Sequence, residues 1–409
     1  MSDLNSTPSA SRIQIGIFGR RNAGKSSLMN ALTNQSAALV SENPGTTTDP
    51  VFKAMEMLPL GPVTFIDTAG LDDVGSLGEL RVKRSYDILD RTDLALLVID
   101  AQIGLTEFET RIAEMIRQKK IPAVAAVNKT DLRPLSTEKK QLWQAELQMD
   151  LLEVSASKKT GLNELKTALI RIAGKNEEES FLVGDLVRPG DFAVLVIPID
   201  KAAPKGRLIL PQQQVIRDIL EHDAMAVVTK EHELKATLDN LGKKPAIVIT
   251  DSQAFLKVAA DTPKEIPLTS FSILFARQKG NLSELVQGAK TVENLKPGDN
   301  VLIAEGCTHH RQSDDIGTVK IPRWLRQTIG GELNFEWASG QNLPEDLSKF
   351  QLVVHCGGCM LNRREMMHRL SVVKSQSIPI VNYGVLIAYL QGIFPRALEP
   401  FPELRGWLG

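Results

Sequence analysis

The sequence predicts an α/β protein built in three consecutive blocks, and three observations point to it. Apolar stretches of strand length alternate with amphipathic stretches of helical spacing along most of the 409 residues. A glycine-rich loop separates the first such strand from the first such helix. The chain is too long for one compact core, while 43% apolar and 24% charged residues are ordinary for a globular protein.

The first block, 1–176, opens with "IQIGIFG" from Ile13 and passes through the glycine loop into "KSSLMNALTNQ", whose Leu28, Met29 and Leu32 recur at helical spacing. "VTFIDTAG", "DLALLVIDA" followed by "TEFETRIAEMIRQKK", and "PAVAAVNKTD" repeat the unit, which gives a mostly parallel, doubly wound sheet. Its last helix is expected in "GLNELKTALIRIAG", and the charged "KNEEES" reads as a linker. The second block, 177–266, alternates again through "FAVLVIPI", "QQQVIRDILEHD", "MAVVTK", "HELKATLDNL", "PAIVITD" and "SQAFLKVAAD". It carries no phosphate loop and no metal spacing, so a small α/β layer is expected. "DTPKEIP", rich in proline and charge, marks the boundary to the third block, 267–409, which holds all three cysteines of the chain.

A net charge of −1 gives no overall positive field to hold a polyanion, so a nucleic-acid partner is not expected. "MSDLNSTPSASR" is polar, and "LALLVI" and "FAVLVIPI" are far shorter than a membrane span, so the expected location is cytoplasmic, without membrane attachment. In a reducing compartment three cysteines cannot make a disulfide framework, and two of them in Cys-x-x-Cys point to metal or redox chemistry.

"GRRNAGKS", Gly19 to Ser26, fits G-x-x-x-x-G-K-[ST] between a strand and a helix, the context of a phosphate loop. Backbone N–H groups around Ala23, Gly24 and Ser27 and the positive end of the helix surround phosphates. Lys25 reaches the β and γ oxygens, and the Ser26 hydroxyl binds magnesium. "DTAG" adds Asp67 for the magnesium shell and Gly70, whose N–H meets a γ-phosphate. "NKTD" begins with Asn128, places Lys129 along a base, and supplies Asp131, whose carboxylate accepts two N–H groups that guanine has and adenine lacks. A buried carboxylate left unpaired by the wrong base discriminates by on the order of 10⁴-fold. "SAS", with Ser155 and Ala156, offers an N–H to the guanine carbonyl, so the nucleotide is GTP.

These motifs resemble those of the tRNA-modification and ribosome-assembly GTPases. The resemblance makes "PGTTTD", Pro44 to Asp49, the first switch, with Thr48 where that group usually has arginine. It implies Thr47 as a magnesium ligand with Thr46 second, and Asn22 as a residue that helps hold an activating potassium ion. Leu71 stands where Ras-like enzymes carry the glutamine that orients water, so slow hydrolysis is expected unless potassium or another residue substitutes, with the nucleotide acting as a switch.

"VLIAEGCTHH" and "QLVVHCGGCMLNRREMMHRL" each run from an apolar strand to a cysteine. Cys356 and Cys359 then lie at a strand-to-helix turn, where a helix N-terminus lowers thiol pKa values. In a parallel sheet, loops at carboxyl ends of strands converge, which would bring Cys307 to the same place. Zinc held by the three thiols and His309 or His355 fits this set. So does a 4Fe-4S cluster with three thiolates and His309, His355 or Glu305 as the fourth ligand, and each histidine also fits a role as hydrogen-bond donor beside the cluster.

The whole pattern, Cys-x-His, a long gap and His-Cys-x-x-Cys after a GTPase block and a middle α/β block, resembles the FeFe-hydrogenase maturation GTPase family. That resemblance implies a P-loop GTPase domain, a small α/β dimerisation domain and a C-terminal domain binding a 4Fe-4S cluster through Cys307, Cys356 and Cys359. It implies a homodimeric scaffold that accepts a diiron precursor from radical-SAM maturation enzymes and transfers it to apo FeFe-hydrogenase. Two rivals stand beside it: an RNA-modification or ribosome-assembly GTPase with a zinc-binding C-terminal domain, and an oxidoreductase using the Cys356/Cys359 pair.

Overall fold

A computed structural model describes residues 9–33, 50–68, 87–174, 181–199, 208–306, 315–340 and 343–407. The chain divides into two compact units, Met1–Glu179 and Ser180–Gly409.

The first unit contains β1 (Ile13–Phe18), α1 (Lys25–Thr33), β2 (Val51–Met57), β3 (Gly61–Asp67), β4 (Leu94–Asp100), α2 (Glu107–Gln118), β5 (Ala123–Asn128), α3 (Thr137–Leu147), β6 (Asp150–Glu153) and α4 (Leu162–Gly174). Its six-stranded sheet runs β2-β3-β1-β4-β5-β6. β2 is antiparallel to β3 and every other pairing is parallel. "LALLVID" is buried along its whole length, as a central strand covered on both faces must be. Leu28, Val98 and Leu165 pack on one face of the sheet, and Phe18, Ile99 and Ile112 on the other. α2 starts sharply because Thr106 and Glu109 form a capping box.

Because β1, β3, β4 and β5 are parallel, their carboxyl ends share one edge. That edge receives the loop after Phe18 and the side chains of Asp67, Asp100 and Asn128, on both sides of the point where the strand order reverses.

The second unit contains β7 (Phe192–Val196), α5 (Leu210–Glu221), β8 (Met225–Thr229), α6 (Leu234–Asn240), β9 (Ile247–Thr250), α7 (Phe255–Asp261), β10 (Leu268–Ser270), α8 (Phe271–Lys279) and α9 (Leu282–Lys290). It continues with β11 (Asn300–Glu305), α10 (Ile321–Ile329), β12 (Asn334–Ser339), β13 (Leu352–His355), α11 (Arg363–Ser375), β14 (Ile380–Asn382), α12 (Tyr383–Leu390) and α13 (Phe394–Leu398). Two four-stranded sheets, β10-β9-β7-β8 and β12-β11-β13-β14, are parallel throughout. β10 belongs to the first of them, so that sheet extends past the expected 177–266 span. Leu195 of β7, Phe275 of α8, Ile303 of β11 and Leu386 of α12 belong to one continuous core, so the two sheets are not separately packed. Among the described residues no helix is long and apolar enough to cross a membrane.

Candidate functional site

The phosphate loop is shaped by contacts that only glycine permits at two positions. Gly19 has φ 147° and Gly24 φ 90°. A Cβ on Gly19 would lie 2.4 Å from the Val98 carbonyl oxygen, and one on Gly24 would lie 2.3 Å from Asn128 Nδ2. The Lys25 ammonium donates to the carbonyls of Gly19 at 2.8 Å and Arg20 at 2.9 Å, which holds it across the loop. The first turn of α1, with Ser26 and Ser27, carries no acidic side chain, so the dipole there favours an anion.

Asp67 ends β3 buried, with Oδ2 accepting the Ser26 hydroxyl and Oδ1 buried without a hydrogen-bond partner among the described residues. Burial pushes its carboxyl above the usual range, against the opposing pull of the Ser26 hydroxyl and the Lys25 charge. A serine hydroxyl beside a carboxylate with an unsatisfied oxygen is a hard-oxygen donor set that fits Mg2+ and its water shell.

The base side is cross-linked to the phosphate loop. Asn128 Nδ2 donates to the Ala23 carbonyl at 3.0 Å, and its Oδ1 accepts from the Ala156 N–H at 3.1 Å. Lys129, itself at φ 66°, donates from Nζ to the Asn22 carbonyl and to Asp100 Oδ2, each at 2.6 Å. Asp131 accepts from Ser155 Oγ at 2.6 Å and Ser157 Oγ at 3.2 Å, and the Ser155 bond foremost holds its carboxyl below the usual range. Asp131 is exposed rather than buried as expected, because it stands in the loop past the end of β5, beyond the cover of the sheet. Asp100 was not expected here; its signal was the acid that ends "LLVID", as Asp67 ends "FID". Thr46, Thr47, Thr48, Gly70 and Leu71 lie outside the described residues.

In the second unit the parallel register Ala304↔His355 sends β11 and β13 out of the same edge. The Gly306 N–H donates to Cys356 Sγ at 3.2 Å, and the Cys356 N–H donates to the Ala304 carbonyl at 2.9 Å. The residue that precedes Cys307 is therefore in contact with the first thiol of the pair. Cys307, His309 and His310 themselves lie outside the described residues. Cys356 and Cys359 are half-buried thiols, with Gly358 at φ 61° in the turn between them.

α11 begins only at Arg363, capped by Asn362, which accepts from the Glu365 N–H at 2.9 Å. The Cys359 thiol is pushed up by burial, which outweighs the opposing Lys279 charge, so the lowering expected from a helix terminus is corrected. The cysteines precede the helix rather than sit in its first turn, and the dipole falls off within that turn.

His355 is fully buried. Its Nδ1–H donates to the Cys356 carbonyl at 2.7 Å and its Nε2 accepts from Arg369 Nη1 at 3.0 Å, the tautomer following from the guanidinium's being a donor only. Burial first, then the Arg369 charge, lowers its pKa to about 4. Both ring nitrogens are thus committed to protein partners. Glu305 is buried at the end of β11 and accepts from the Tyr383 hydroxyl at 3.3 Å. A cavity of about 320 Å3 lies against the turn, lined by Gly357, Cys359, Tyr383, Ser272, Asp251 and Ile387 among others. Lys279 was also unexpected: its buried ammonium donates to the carbonyls of Gly358 at 3.3 Å, Cys359 at 3.2 Å and Leu361 at 2.7 Å.

Taken with its phosphate loop, acid-ended strands and base loops, the first unit is a P-loop GTPase domain. Residues 14–129 match the family model of the 50S ribosome-binding GTPase, residues 182–280 the hydrogen maturase F dimerization domain, and residues 283–400 the hydrogen maturase F tetramerization domain. The last two together span more than half of the chain, and it belongs to the hydrogen maturase F family.

Individual relatives match over part of the chain. GTPase Der of Kosmotoga olearia is 33% identical over 174 residues, 40% of this chain and 39% of its own. The tRNA modification GTPase MnmE of Heliobacterium modesticaldum is 41% identical over 159 residues, 38% and 33% respectively. MnmE of Aquifex aeolicus is 38% identical over 169 residues, 41% and 36%. The matches thus span well under half the length of these relatives.

Proposed function

We propose that the protein binds and slowly hydrolyses GTP and serves as a self-associating scaffold and carrier in FeFe-hydrogenase maturation. Cys307, Cys356 and Cys359 hold a 4Fe-4S cluster, and the protein accepts a diiron precursor from radical-SAM maturation enzymes and passes it to apo-hydrogenase. The observation that carries the cluster site is the hydrogen bond from the Gly306 N–H to Cys356 Sγ, which joins the approach to Cys307 to the Cys356/Cys359 turn. Three thiolates leave one position of such a cluster open, and that opening suits a site that receives and releases an incoming complex.

With His355 engaged at both nitrogens, the fourth position falls to Glu305, His309 or an exchangeable ligand. The residues at the nucleotide are the loop N–H groups and Lys25 for the phosphates, Ser26, Asp67 and Thr47 for Mg2+, and Asp131 with the Ser155/Ala156 loop for guanine. Leu71 supplies no group that orients water, so turnover is slow and depends on K+ near Asn22.

The test is Cys307→Ala and Cys359→Ala in the full chain. Each should lose bound iron while GTP hydrolysis stays at the wild-type rate; loss of both would make these cysteines structural and overturn the proposal.

A further inference from the structure

Lys279 closes α8 and is 7% exposed. Its ammonium lies 5.1 Å from the centre of the Phe275 ring, and its hydrogen bonds all go to backbone carbonyls of the thiol turn. Among the described residues it has no carboxylate at ion-pair distance. Burial opposes its charge, and the acidic groups that face it are the Cys359 and Cys356 thiols and Glu365.

Burying an ammonium is unfavourable unless a partner charge meets it, and carbonyls satisfy its donors without neutralising it. Three carbonyl bonds also make the lysine a clasp, because they bind the segment from Gly358 to Leu361 to a helix about 80 positions earlier in the chain. The charge is thus built into the wall of a site that takes negative charge when its thiols become thiolates.

We infer that Lys279 is the positioning residue and counter-charge of the thiol site, holding the turn of Cys359 in shape and balancing the negative charge of thiolates bound to an iron-sulfur cluster. The inference rests on the cluster site proposed above.

It predicts two effects of opposite sign. Lys279→Gln keeps two N–H donors for the three carbonyls and removes the charge. The metal-free variant should be at least as stable as wild type, since an uncompensated buried charge is gone. After anaerobic reconstitution its affinity for iron should fall by about 10- to 100-fold, as for other residues that support metal ligands. The midpoint potential of the bound cluster should drop, because an added electron loses its nearby cation. Lys279→Arg, which keeps the charge, should restore the potential.

Iron content by chelator competition, the midpoint potential by redox titration and the thermal melt of the metal-free chain give the readouts. A Lys279→Gln protein with wild-type iron affinity and potential overturns the inference, and so does one whose metal-free form melts well below wild type. Wild-type protein that takes up no iron overturns the cluster site and this inference together, which separates the two failures.

Discussion

Arg369 donates from Nη1 to Nε2 of His355 at 3.0 Å, with both side chains buried. A guanidinium cannot accept a proton's return, so His355 is kept neutral with its other nitrogen on the Cys356 carbonyl. The histidine braces the turn from behind. Arg369 also donates to the Gly340 carbonyl. Arg369→Met should therefore destabilise the metal-free chain by about 2 kcal/mol, by leaving buried acceptors unpaired. Urea unfolding of the variant measures it.

The same pair sets a pH dependence. His355 has a folded pKa of about 4 against 6.5 for an ordinary histidine. Between these values the unfolded chain binds a proton that the folded chain refuses. Stability is fully present above pH 6.5 and is lost as pH falls toward 4, by at most about 3 kcal/mol. Urea midpoints of the metal-free protein should fall between pH 7 and pH 5, and His355→Gln should flatten that decline.

At the nucleotide, burial raises the Asp67 carboxyl, so its charge is a cost that Mg2+ relieves. Asp67→Asn should leave the magnesium-free chain at least as stable as wild type. Mg2+-dependent GTP hydrolysis should drop at least about tenfold, the scale on which ligand-supporting groups act. Phosphate release at fixed Mg2+ reads the effect.

Asp100 and Asp131 separate affinity from specificity. Asp100→Ala frees Lys129 from its partner at 2.6 Å and should weaken guanine and other nucleotides alike, by about tenfold. Asp131→Asn should weaken GTP by at least about 100-fold and favour xanthosine triphosphate, whose C2 carbonyl accepts the new amide N–H. Competition binding with both nucleotides distinguishes the two.

Turnover should also depend on the alkali cation. With Leu71 in place of a water-orienting side chain, GTP hydrolysis is expected to be slow in sodium and faster in potassium. Steady-state rates in matched salts measure this, and fast turnover in sodium alone contradicts it.

Local pattern carried much of this architecture. Ile13 to Thr33 and the strand-end acids of the first unit are written in contiguous spacing, so strand, loop and helix followed from it. β2 did not, because "VFKAMEM" begins with exposed Val51 and Phe52 and owes its strand to pairing with β3 at the sheet edge. Charged side chains were the other blind spot. Sequence pattern singles out neither Lys279 nor Arg369, yet both are buried, and only neighbours distant in sequence give them that environment. The helix-terminus effect expected at the thiols is absent at Cys359 for a related reason: it lies four positions before Arg363, which takes its sulfur out of the first turn.

The second unit is proposed to hold an iron-sulfur cluster. The most direct measurement is the absorbance and the iron, sulfide and zinc content of the full chain purified without oxygen. A brown protein with iron and acid-labile sulfide in equal amounts, approaching the 4Fe-4S ratio per chain after reconstitution, is the expected result. A colourless protein with stoichiometric zinc, unable to take up iron and sulfide, would contradict it.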